Sequence, residues 1–101
     1  MVRALPPDIG RYVERRFAAA DQTQAMALLA SAVIHDGQPA GPRLLRCALI
    51  SSGGTLDGLR RQLEHLKIDY RDIIVEGEYV PKDGKLVHVR NLNEPIPDSA
   101  P

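Results

Sequence analysis

The chain has 101 residues, 44% of them apolar, with 13 basic side chains balanced by 13 acidic ones. That length holds one domain with one modest core, and a zero net charge argues against a dedicated binder of phosphate backbones, which ordinarily carries a basic excess. The single cysteine, Cys47, excludes an internal disulfide and a multi-cysteine zinc site.

Aromatic residues are few (Tyr12, Phe17, Tyr70 and Tyr79) and tryptophan is absent. The core must be built from Leu, Ile, Val and Ala, which suits packed helices. Asp8, Arg11, Glu14 and Arg15 interrupt the N-terminal region too early for a secretory leader. The longest apolar-rich run, residues 25–34, is too short to span a bilayer. The expectation is a cytoplasmic protein that does not enter membranes.

In chain order, residues 1–7 read as a loose lead-in ending in Pro6-Pro7, which can precede a helix. Asp8 is a candidate helix start. Ile9, Val13, Phe17 and Ala20 follow at helical spacing, with Tyr12 widening the face. Asp21, with Gln24 three residues on, resembles a capping box for a second helix. Ala25, Leu28, Leu29, Ala32 and Val33 give that helix an apolar face. It is expected to end near His35-Asp36, His35 stabilising its negative end and Gly37 taking a left-handed conformation beyond it.

A third helix is expected from Pro42 or Arg43. Leu44, Leu45, Cys47, Ala48, Leu49 and Ile50 make it apolar around much of its circumference, so it should be central. Ser51-Ser52-Gly53-Gly54 ends it. Thr55 can cap a fourth helix whose seam is Leu56, Leu59, Leu63 and Leu66. Asp69 can cap a short fifth helix through Ile73 and Ile74. A strand is the alternative for residues 69–79, because Ile73, Ile74 and Val75 are β-branched and Gly77 disfavours helix.

Pro81-Lys82-Asp83-Gly84 is a turn signal. Residues 85–90 then alternate polar and apolar, as in a half-buried strand that can pair with residues 78–80; such a hairpin must pack on the helices through Leu86 or Val87 and Val89, or the segment remains irregular. The fold class that results is mainly α: a compact bundle of four to five short helices with a short C-terminal β-hairpin or extended tail. The helical domain spans residues 8–94, and residues 95–101 are expected to fray.

Several of these segments together carry a resemblance. Arg43-Leu44-Leu45-Arg46-Cys47, Gly54-Thr55-Leu56-Asp57-Gly58-Leu59, Asp69-Tyr70-Arg71-Asp72-Ile73-Ile74 and Glu78-Tyr79 resemble a group of small bacterial proteins of unknown function. Those proteins carry an R-x-x-R-C helix, a G-x-L-x-x-L helix and a D-Y-R-D segment closing on E-Y. The resemblance covers roughly half of the chain. It departs where Glu76 and Gly77 replace the aromatic and alanine that commonly precede E-Y. The group implies a helical fold and brings no activity with it.

No catalytic constellation is readable, so the expectation is a protein that is not an enzyme and uses no cofactor. Arg43, Arg46, Asp69, Arg71 and Asp72 form the best candidate polar cluster. Its carboxylates would need burial to serve acid–base work, and helix capping with ion pairing explains them as well. His35, His65 and His88 lack metal-ligand spacing. Gly53-Gly54 lacks the Lys-Ser/Thr of a phosphate loop. Cys47 in an apolar run reads as a buried thiol. Arg60, Arg61 and Lys67 form a candidate basic face. The leading expectation is a small non-catalytic interaction or adaptor protein with an unknown protein partner, self-association included. The alternative is a nucleic-acid-associated regulator using that basic helix face.

Overall fold

The computed structural model describes residues 5–97. Five helices follow in order: α1 (Pro7–Arg16), α2 (Gln22–Ala30), α3 (Pro42–Ser51), α4 (Leu56–Ile68) and α5 (Tyr70–Glu78). An antiparallel hairpin of β1 (Tyr79–Lys82) and β2 (Lys85–His88) ends the regular structure. The mainly α bundle with its C-terminal hairpin is therefore the fold.

Pro7 occupies the first turn of α1, where a missing N–H costs nothing. Pro42 does the same for α3. Thr55 caps α4 by accepting a 3.0 Å hydrogen bond from the Gly58 N–H. Asp69 caps α5 by accepting from the Arg71 N–H at 3.0 Å. The strand alternative for residues 69–79 falls, because a capped start and an apolar face through buried Ile73 outweigh the β-branched run.

α3 is the central element. Its Leu45, Cys47, Ala48 and Leu49 are buried among Leu59, Leu63 and Leu66 of α4, Ile73 of α5, and Ile9, Tyr12 and Val13 of α1. α3 and α5 approach closely at Gly77. A Cβ on Gly77 would lie 2.7 Å from both Cα and Cβ of Cys47. Only glycine allows the two helices to meet there, which explains a poor helix former in the last turn of α5.

Four expectations about the N-terminal half are corrected. Pro6, and not Asp8, occupies the cap position of α1, and the Asp8 carboxylate turns inward to a tertiary partner. Asp21 precedes α2 without a side-chain capping bond, since a 3-10 turn (Ala19–Asp21) leads into the helix there. Ala20 lies exposed in that turn rather than on the apolar face of α1. α2 stops at Ala30, well short of His35. Ser31 Oγ bonds back to the Ala27 carbonyl at 3.0 Å, and the chain turns extended. Val33 then bridges Pro39, Ala40 N–H donates to Ala32 O at 3.0 Å, and Gly37 takes its positive φ inside this loop. His35 therefore ends no helix. It stacks near Tyr70, with ring centroids 6.3 Å apart.

The hairpin turn pairs Asp83 (φ 52°) with Gly84 (φ 78°), the left-handed couple that matches strand twist in a two-residue loop. The expected packing of the hairpin on the helices does not occur. Leu86 is 58% exposed, Val89 47% and Val87 40%. The chain beyond the hairpin folds back instead. Leu92 and Ile96 are buried, so the expected fraying from residue 95 fails at Ile96. The remaining calls for residues 1–4 and 98–101 lie outside the described residues.

Candidate functional site

Arg43 and Arg46 stand three residues apart on α3, so their side chains leave neighbouring points of one helix face. Each meets a buried carboxylate from a different part of the chain. Arg43 Nε and Nη2 donate to Glu78 Oε2 and Oε1 at 2.8 and 2.9 Å. Arg46 Nε and Nη2 donate to Asp8 Oδ2 and Oδ1 at 2.9 and 3.1 Å. Both are the fork-to-fork pairs that favour arginine over lysine.

Both carboxylates also hold the C-terminal segment. Glu78 Oε2 accepts from the Leu92 N–H at 3.2 Å, and Asp8 Oδ2 accepts from the Ile96 N–H at 2.9 Å. Arg46 Nη1 donates to the carbonyls of Leu92 and Asn93 at 3.2 and 3.3 Å. Arg90 Nη1 donates to Gly77 O at 2.7 Å, covering a carbonyl at the end of α5. The result is a clamp. α3 supplies two cations, α1 and α5 supply two anions, and the segment after β2 is threaded through both pairs.

His88 completes the Glu78 end. Its Nε2 lies 2.9 Å from Glu78 Oε1, and its ring packs on Tyr79 with centroids 4.9 Å apart. The hydrogen bonds from Arg43 and His88, with the Leu92 N–H, outweigh burial and hold the Glu78 carboxyl down at about 2. For Asp8 burial is the largest influence and pushes upward. Arg46 and the Ile96 N–H together overcome it, and the Asp8 carboxyl sits below its ordinary value.

Cys47 Sγ lies 3.8 Å from Glu78 Oε2. Burial first, then the negative charge of Glu78, push this thiol up to about 12. A thiol in that state is not a nucleophile at neutral pH. Glu78, ionised and with donors on both oxygens, is equally unsuited to shuttling protons. What the site can do is fix the root of the hairpin rigidly to the bundle.

The candidate polar cluster divides. Arg43 and Arg46 belong to the clamp. Asp69 and Arg71 form their own exposed pair, with bonds of 3.1 and 3.2 Å, and Asp72 lies 3.3 Å from His65. The five residues are not one constellation, because Arg71 and Asp72 lie on the solvent side of α5, while its buried side, through Ile73 and Glu78, faces the core and α3. On the candidate basic face, Arg60, Arg61 and Lys67 are exposed. Arg60 pairs with Asp57 at 3.5 Å and Lys67 with Glu64 at 3.1 Å, so acids of the same helix offset much of its charge.

Sequence reasoning missed the anions of the clamp. Glu78 was legible in principle: it stands four residues after Ile74, on the apolar side of α5. Asp8 stands four before Tyr12 and directly beside Ile9. A lone acid at such a position calls for a buried cation, and the two arginines of α3 were the available ones.

Among the described residues no group of His, Cys, Asp and Glu is arranged to hold a metal ion, and no helix is long and apolar enough to cross a membrane. No protein-family model, curated protein or solved structure matches the chain.

Proposed function

We propose that this is a small non-catalytic interaction protein that docks through its C-terminal hairpin. One observation carries the reading. Val80, Leu86, Val87 and Val89 lie in solvent on a hairpin whose two ends are tied to buried ion pairs. A lone two-stranded hairpin is marginal in water. Here buried charges anchor it while its apolar residues stay exposed, an arrangement that favours a surface made to be covered. The ionised Glu78 and the raised Cys47 thiol speak against catalysis at the clamp. A single buried cysteine suits a reducing compartment such as the cytoplasm.

The test is affinity capture from the source cell with wild-type protein and with a Leu86→Ser/Val87→Ser variant, checked for fold by circular dichroism. Proteins retained by the wild type should be lost by the variant. Equal retention would overturn the hairpin as docking surface. The nucleic-acid reading is tested alongside, by titrating labelled duplex and single strands at physiological salt. No saturable binding is expected. Salt-sensitive binding at about micromolar affinity, lost in an Arg60→Ala/Arg61→Ala variant, would replace this proposal with the regulator.

A further inference from the structure

The hairpin has two edges, and they are not equivalent. Val89 N–H donates to Glu78 O at 2.8 Å, which makes Glu78 and Val89 a hydrogen-bonded pair at the root of the hairpin. The register continues Tyr79 opposite His88, Val80 opposite Val87, Pro81 opposite Leu86 and Lys82 opposite Lys85. Bonded and non-bonded pairs alternate in an antiparallel ladder. The main chains of Tyr79 and Pro81 therefore face outward from β1, and those of Leu86 and His88 face outward from β2. Pro81 has no N–H to offer, so the outer edge of β1 is blunted. The outer edge of β2 keeps its donors and acceptors. No hydrogen bond from another element reaches the Leu86 or His88 main chain among the described residues. Every residue of β2 is exposed.

We propose that β2 pairs antiparallel with β2 of a second copy of this chain, forming a two-fold dimer with a continuous four-stranded sheet. The inference rests on the reading of the hairpin as the docking surface and names its occupant. The register follows from the outward groups. Leu86 of one copy pairs with His88 of the other, in both directions, and Val87 meets Val87 at the two-fold axis. This is the register that uses both outward residues of each strand without drawing on the turn or on Arg90. It sets Lys85 opposite Val89 of the second copy, so no like charges face each other. It also aligns Val80 and Val87 of one copy with Val87 and Val80 of the other, a row of four valines across the sheet. These are the residues the single chain leaves half exposed. Because Pro81 blunts both outer edges of the assembled sheet, addition stops at two copies and no filament forms.

Sedimentation equilibrium of the full chain across the micromolar range should give a concentration-dependent dimer. Val87→Cys should crosslink under mild oxidation, since residues at a non-bonded antiparallel pair lie within disulfide reach. Val80→Cys, one strand further out, should not. Val87→Lys, which sets two cations at the axis, should be monomeric with an unchanged circular dichroism spectrum. Pro81→Thr restores a donor to the outer edge and should assemble beyond the dimer. A wild-type chain that stays monomeric, or crosslinking at Val80 in preference to Val87, would overturn the proposal. Neither result touches the docking reading, whose own failure appears separately as equal capture by the hairpin variant.

Discussion

Arg46 and Asp8 meet inside the protein through two hydrogen bonds of 2.9 and 3.1 Å, and both side chains are almost fully buried. Arg43 and Glu78, one turn of α3 away, form the same kind of pair with the cation partly in solvent. The difference has an energetic consequence. A buried charge that loses its partner has nowhere to find water, whereas a partly exposed one can rehydrate.

Asp8→Ala should therefore destabilise by about 3–5 kcal/mol, because it strands Arg46 among the Leu92 and Asn93 carbonyls. It also frees the Ile96 N–H, so the segment after residue 91 should become the first site of proteolysis. Replacing both members with apolar residues, Asp8→Leu with Arg46→Met, should recover most of the loss in a urea titration. A double variant as unstable as the single one would show that packing, rather than the stranded charge, sets the cost.

Acid should unfold this protein through the clamp. The folded Glu78 carboxyl titrates at about 2, against 4.5 when unpaired. Its contribution is complete above pH 4.5 and is lost as pH falls toward 2, and on its own it is on the order of 3 kcal/mol. Asp8 is lowered as well and adds in the same direction. Thermal midpoints should stay level between neutral pH and about pH 5 and fall steeply below, over the window set by these carboxyls. In Glu78→Gln the fall should be shallower. An unchanged slope would remove Glu78 as the titrating group.

The parts of this molecule legible in the sequence are those that local chemistry decides. Thr55 and Asp69 cap their helices as expected because each needs only its own next turn. Pro42 starts α3 for the same reason. Leu45, Leu49, Leu59, Leu63 and Ile73 are buried together because their spacing repeats on one face of each helix. The clamp was only half legible. Arg43 and Arg46 stood out on α3, but their partners lie 35 and 38 residues away. Asp8 resembled a cap, and at that position a local and a tertiary use of the same carboxylate cannot be separated by spacing. Val87 and Val89 stand two residues apart, as on one face of a half-buried strand, yet the alternation does not say whether the covering partner belongs to the same chain.

Cys47 should react slowly with a thiol reagent in the native state and quickly once unfolded. Its thiol is fully buried and pushed up to about 12, so little thiolate exists at neutral pH. Labelling in increasing urea should track global unfolding. Glu78→Gln should speed native labelling, since the negative charge beside Sγ is removed and the segment through Leu92 is loosened. Fast labelling of the native wild type would contradict the burial of this residue.

Leu49 and Leu63 test the register of α3 against α4. Truncation of either to Ala should cost about 2–5 kcal/mol, from lost apolar transfer plus the cavity left behind. Leu49 is fully enclosed and Leu63 slightly less so, which places Leu49→Ala toward the upper end. An unchanged urea midpoint for both variants would refute this packing.

Gly77 is the sharpest test of how α3 and α5 meet. In an isolated helix, Gly→Ala adds about 1 kcal/mol of stability through propensity. Here the new Cβ would lie 2.7 Å from Cys47 Cα and 2.9 Å from its Sγ. Backbone cannot give way as a side-chain tip can, so the helices must separate, and overpacking of this kind costs about 1–3 kcal/mol. The clash should outweigh the propensity gain, and Gly77→Ala should lower the urea midpoint. Separation would also draw Glu78 away from Arg43, so the acid limb of the pH profile should move upward in the same variant. Cys47→Ala removes Sγ but not Cα, and should rescue Gly77→Ala only in part. A Gly77→Ala protein more stable than wild type would mean that α3 and α5 do not approach this closely.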